Sequence, residues 1–212
     1  MSCREFGPEI EKLSMLFKRT ALVAVIVVVA VSLILCTGCS RLLEADLRLA
    51  ACDANLKKLT GLLGRGANAN ATGVQGNSAL TSVEACEERD EPTRVQLIEL
   101  LIANGAAVNH QDDGGRTALM YAARNGDTHA ANALLRNGAL VNLADNDGET
   151  ALMKAAAYSC NEETVRALLS AGADLNAKDH KGRNALDSFR ASYACPESKV
   201  GDLLKMETQK NK

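Results

Sequence analysis

Tryptophan is absent from this 212-residue chain, and Phe and Tyr occur three times each. So few rings exclude a single globular core built around aromatics. Charge of one sign is also lacking: 24 Lys and Arg stand against 26 Asp and Glu, a net charge of −2. Nucleic acid is therefore disfavoured, because phosphate binding needs clustered basic residues. Proline is scarce, at three beside 16 glycines, which argues against a disordered proline-rich chain. The signatures of chemistry are missing too. Gly61, Gly64 and Gly66 lack the Lys-Ser or Lys-Thr of a phosphate-cradling loop. His110, His129 and His180 stand at no spacing from Ser or Cys that would make a nucleophile and its base. No close pair of cysteines suggests zinc. Catalysis, a metal, a cofactor or a small-molecule substrate is not expected. What is present is 47% apolar residues, mostly Ala, Leu and Val, the material of thin, closely stacked helices.

The first forty residues read as an address. Thr20 to Ser40 is a 21-residue run without a charge, dense in Val, Ile and Leu and preceded by Lys18 and Arg19. Positive charge ahead of a long apolar stretch is a membrane-targeting layout. Met15-Leu16-Phe17-Lys18-Arg19 makes a more typical opening than the stretch holding Glu5, Glu9 and Glu11, so Met15 is a candidate start. Thr37-Gly38-Cys39-Ser40 resembles the lipobox of bacterial lipoproteins, although the place three before the cysteine, commonly Leu, holds Cys36. That resemblance implies cleavage after residue 38 or so, lipid on Cys39 and, from Ser40, sorting to the outer membrane. Alternatively, the run is long enough to span the inner membrane as an uncleaved helix. Either outcome leaves the rest of the chain facing the periplasm.

After Ser40 the chain repeats. Gly115-Arg116-Thr117-Ala118-Leu119-Met120 returns 33 residues later as Gly148-Glu149-Thr150-Ala151-Leu152-Met153. An Ala pair or run follows each, then a Leu pair (Leu134-Leu135, Leu168-Leu169), then a glycine turn ending in Asn142 or Asn176. Earlier turns, Gly66 to Asn70 and Gly105 to Asn109, carry the same pattern, and Gly182-Arg183-Asn184-Ala185-Leu186 opens a last copy. Each unit predicts two short antiparallel helices and an extended loop. The Ala pair keeps the first helix slim, the Leu pair gives the second its buried stripe, and glycine supplies the left-handed stop. Such units become stable only by stacking.

These residues resemble ankyrin repeats, with Thr-Ala-Leu-Met where that family has Thr-Pro-Leu-His. The resemblance covers roughly 42–208, and implies an all-α solenoid with units 42–75, 76–114, 115–147, 148–181 and 182–208. Residues 1–39 precede it as signal or anchor, the repeat domain runs from 40 to 208, and 209–212 read as a polar tail. Unit two is six residues longer than the internal period. The excess around Glu87-Glu88-Arg89-Asp90-Glu91-Pro92 predicts a solvent-facing loop between its helices. Acidic pairs such as Asp112-Asp113 are read as solvated.

Four cysteines remain after the signal. Cys52, Cys86, Cys160 and Cys195 each fall near the end of a first helix, in units one, two, four and five. Neighbours pair as Cys52–Cys86 and Cys160–Cys195, and an oxidising periplasm would preserve such bonds. A disulfide needs Cα atoms about 4.4–6.8 Å apart. Stacked helices sit about 8–10 Å apart, so the loops would have to close the gap.

In the ankyrin architecture the turn tips and the outward side of the first helices line one concave face. Mapped onto this chain, that face comprises Arg116, Tyr121, Arg124 and Asn125 in unit three. It continues with Asn146 at a tip, Glu149, Lys154 and Tyr158 in unit four, and His180, Lys181 and Arg183 in unit five. Tyr and Arg commonly dominate binding energy, and Tyr121 and Tyr158 lie about one period apart. The resemblance implies a protein-binding lipoprotein, most concretely an immunity protein occluding a toxic effector such as a type VI secretion lipase. The alternative is an envelope scaffold or oxidative-stress accessory that tethers another periplasmic protein.

Overall fold

The computed structural model describes residues 42–85, 91–159, 161–192 and 199–210. The apolar run 20–40, Cys39, and the cysteines at 86, 160 and 195 lie outside those residues. Among the described residues no helix is long and apolar enough to cross a membrane.

Helices follow one another in pairs. The first pair is α1 (42–52) and α2 (Leu56–Gly64), the second α3 (Ala79–Ala85) and α4 (Glu91–Ala103). The third is α5 (Ala118–Asn125) and α6 (Thr128–Arg136). In the fourth, α7 (Ala151–Lys154) runs on as a π turn, Ala155–Ser159, before α8 (Glu162–Ser170). The fifth is α9 (Ala185–Ala191) and α10 (Val200–Lys210). First helices pack on first helices (α3, α5, α7, α9) and second on second (α2, α4, α6, α8, α10). Among the described residues there is no strand, only a single antiparallel bridge between Ala144 and Thr150.

The threonine of each Thr-Ala-Leu-Met is a helix cap. Thr117 accepts a hydrogen bond from the Met120 N–H, and Thr150 does the same for Met153. This satisfies one of the free donors at a helix start, so a proline there is dispensable. Asp127 and Asn161 cap the second helices α6 and α8 in the same manner. The alanine pairs are wholly buried: Ala122, Ala123, Ala155 and Ala156 are all 0% exposed, which lets neighbouring first helices approach closely. Leu134 and Leu168, the first of each Leu pair, are buried in the shared core, each stabilising by about 1.5–3 kcal/mol.

Two details depart from expectation. Helix α4 already begins at Glu91, so Pro92 sits in its first turn rather than in a loop. Proline suits that place, where its missing N–H would have had no helical partner. The final helix also runs on to Lys210, two residues past the expected end of the repeats.

The units are stitched along two lines. Asn70, Asn109 and Asn142 each reach into the next unit's glycine turn. Their amides donate to the carbonyls of Gly105, Gly138 and Gly172 at 2.8, 3.0 and 3.0 Å. Their oxygens accept from the N–H groups of Ala107, Leu140 and Asp174. At the projecting tips the backbone does the same work. The Asp113 N–H donates to the Gln75 carbonyl, Asn146 to Gly114, and His180 to Asp147, each at 3.0 Å.

Candidate functional site

The last three projecting tips are each closed by an aspartate, where the first has Gly73. Asp112 Oδ1 accepts from the N–H groups of Gly114 and Arg116 at 2.8 and 2.9 Å. Asp145 holds Asp147 and Glu149 likewise, and Asp179 holds Lys181 and Arg183. All three are buried, at 5%, 7% and 5% exposure. Asp112 is thus no solvated acid: the tip folds its carboxylate inward to satisfy the loop's own N–H groups, while Asp113 stays exposed.

The second oxygen of each aspartate faces the row of first helices and selects what sits there. Asp112 Oδ2 takes the Tyr121 hydroxyl at 2.7 Å and Arg116 Nε at 3.1 Å. Asp145 Oδ2 takes Lys154 Nζ at 2.7 Å, and Asp179 Oδ2 takes Arg183 Nη2 at 2.7 Å. Lys154 also pairs with Glu149, and Glu149 with Arg183 at 3.3 Å, so charges alternate along the face. Burial works against ionisation of Asp112. The Arg116 N–H, the Tyr121 hydroxyl, the Arg116 guanidinium and the Gly114 N–H outweigh it, holding the carboxyl below its ordinary range. Burial and the Asp112 carboxylate together push the Tyr121 phenol up to about 12. For Lys154 burial opposes the charge, but Asp145 and Glu149 overcome it and raise the pKa.

These contacts revise the equivalence of the two tyrosines. The position matching Tyr121, by its bond to the tip aspartate, is Lys154. Tyr158 matches Asn125 instead, four residues further along. Between the capping residues Thr150 and Asn161 unit four holds one residue more than unit three does between Thr117 and Asp127. Helix α7 absorbs the extra residue as its π turn, a common outcome of a one-residue insertion. The Ser192 hydroxyl donates to the Ala157 carbonyl of that turn. Tyr158 is thereby presented to solvent, 51% exposed.

Arg116 lies over the Tyr121 ring, 5.2 Å from its centre, and Arg124 over Tyr158 at 5.1 Å. A small hollow of about 80 Å³ opens among Arg116, Met120, Tyr121, Arg124, Lys154 and Tyr158. A wider one of about 300 Å³ adjoins it across Tyr158, lined by Glu149, Arg183, Ser188 and Ser192 among others. The structure therefore brings together Arg116, Tyr121, Arg124, Glu149, Lys154, Tyr158 and Arg183.

Other expected face residues serve the scaffold. The Asn125 amide donates to the Glu84 carbonyl at 2.8 Å, and the Asn146 amide to Asp113 at 2.9 Å. His180 and Lys181 are exposed at a tip, away from both hollows. His129 is exposed, while half-buried His110 hydrogen-bonds to the Gly76 carbonyl through Nε2 at 2.7 Å. Of the four candidate disulfide cysteines, Cys52 alone lies among the described residues, half-buried at the end of α1. Among the described residues no group of His, Cys, Asp and Glu is arranged to hold a metal ion.

Sequence reasoning missed one buried acid. Glu84 is 0% exposed and sits where units three and four have Ala123 and Ala156. Beside it Arg94 Nη1 meets Asp127 Oδ2 at 2.5 Å. Burial, opposed by Arg94 and reinforced by Asp127, pushes the Glu84 carboxyl up to about 8.

No curated protein matches the chain. Residues 84–179 match the family model described as ankyrin repeats (3 copies), repeats that in general serve as non-catalytic modules for binding other proteins.

Proposed function

We propose that this chain is an extracytoplasmic protein-binding module that grips its partner across the face of units three to five. The observation that carries the reading is the pair of arginine-capped tyrosines flanking a hollow on an ankyrin stack. Stacked Arg and Tyr offer a large contact area at little entropic cost. The alternating charges beneath them are mutually satisfied, so the surface is stiff before a partner arrives.

The uncharged run 20–40 and the lipobox-like Thr37-Gly38-Cys39-Ser40 support a periplasmic setting with lipid on Cys39. In the same setting we assign Cys52 to a disulfide with Cys86, and Cys160–Cys195 as the matching bond at the other end. In that setting we read the protein as an immunity factor that occludes the active site of a toxic effector, such as a secreted lipase. The test is toxin protection. Cells expressing the chain should survive a periplasmic lipase effector that kills cells without it, and Tyr158→Ala with Arg124→Ala should abolish survival at unchanged protein level. Survival of the double variant would reject this face. Tight capture of another envelope protein with no protection would favour the tether instead.

A further inference from the structure

Resting on that reading of the face, we infer that the small hollow receives an acidic side chain of the partner protein, with Arg124 as the group that pairs with it. The pairing of the hollow's cations points to it. Three cations line the hollow: Arg116, Arg124 and Lys154. Arg116 is matched by Asp112, and Lys154 by Asp145 and Glu149. Arg124 has no carboxylate within ion-pair distance among the described residues. Its guanidinium instead lies over the ring of Tyr158. Arg124 is therefore the one cation of the hollow that no described carboxylate pairs.

Geometry makes that charge selective. Stacking holds a guanidinium by its face and leaves the N–H fork at its edge free, the arrangement suited to a bidentate carboxylate. The volume of about 80 Å³ is a few water molecules' worth, room enough for a carboxylate head. Tyr121 cannot compete for the incoming group as a donor, because its hydroxyl is already given to Asp112. The position is also specific to this junction. Ala85 and Ala157 stand where unit three has Arg124, and Asn125 stands where unit four has Tyr158.

The test uses the full chain in detergent micelles, with arginine side chains labelled for NMR. Three probes are titrated: acetyl-Ala-Glu-Ala-amide, its Gln counterpart and inorganic phosphate. The Glu peptide should saturably shift the Arg124 Nε–Hε signal and the Tyr158 ring signals, while the Gln peptide leaves them in place. Arg124→Gln should weaken the Tyr158 response about tenfold, the worth of one charge-assisted hydrogen bond. Equal shifts from Glu and Gln peptides would overturn the inference, and so would tighter saturation by phosphate. Should Tyr158→Ala abolish toxin protection while the Glu peptide shifts nothing, the face would stand and the acidic contact would fall.

Discussion

Asn109 grips Gly138 of the following unit, donating from Nδ2 to its carbonyl at 3.0 Å while accepting from the Leu140 N–H at 2.8 Å. One side chain thus satisfies two backbone groups that a glycine turn leaves open. Asn109→Ala should destabilise the chain by about 1–2 kcal/mol, because two net hydrogen bonds are lost at a site where water can partly replace them. Urea unfolding checks it. Asn109→Asp, which keeps the acceptor and loses the donor, should fall between the two; an unchanged midpoint for the Ala variant would show that the stitch contributes nothing.

Gly115 presents a different kind of requirement. Its φ is +75°, and a Cβ there would lie 2.8 Å from the Asn146 N–H nitrogen and 2.6 Å from Asn146 Oδ1. That nitrogen is the one that donates to the Gly114 carbonyl across the tips. Gly115→Ala should cost more than the ~1 kcal/mol of a left-handed alanine alone, since the tip ladder must open as well. Gly138→Ala, with φ +85° and open space around it, isolates the backbone effect. Thermal melts should rank wild type above Gly138→Ala above Gly115→Ala.

Arg94 and Asp127 form a pair with side chains only 10% and 4% exposed. Asp127 also caps α6 through the Ala130 N–H at 2.9 Å. Arg94→Ala leaves that carboxylate buried without its cation, which should cost about 3–5 kcal/mol. Asp127→Asn keeps the cap but turns an amide NH2 toward the buried guanidinium, so it should cost a similar amount. Losses under about 1 kcal/mol for both in denaturant unfolding would mean that the pair contributes little.

Much of this architecture could be read before the structure. The Ala pairs, the Leu pairs and the left-handed glycines are local signals that recur along the chain, so their meaning survives without coordinates, whereas the capping role of Thr117 and Thr150 came only from the structure. The stitching asparagines were visible as the ends of the glycine turns, but their role was not, because each bonds across about thirty residues to another unit. Tyr158 was paired with Tyr121 by approximate spacing; the π turn, a one-residue difference, changes which neighbour each tyrosine meets. Glu84 could have been noticed, since it stands where units three and four carry the second alanine of a buried pair. Its surroundings, Arg94 from α4 and Asp127 from α6, come from two further helices and leave no trace in its own segment.

Glu84 should make stability depend on pH in the reverse of the usual carboxylate direction. Its folded pKa, about 8, lies above the ordinary value of 4.5. Between those values the folded state keeps a proton that the unfolded state has released. Stability is then fully present below about 4.5, falls as pH rises, and levels off above about 8. Neither carboxyl oxygen has a hydrogen-bond partner among the described residues, so only the coulombic pull of Arg94 offsets the charge when it forms. Glu84→Ala restores the residue that units three and four carry at this place, and Arg94 keeps Asp127 as its partner. Urea unfolding of the wild type at pH 5.5, 7 and 8.5 should give midpoints that decline with pH, relative to Glu84→Ala measured in parallel. A constant difference between the two proteins across that range would show that the carboxyl does not titrate there.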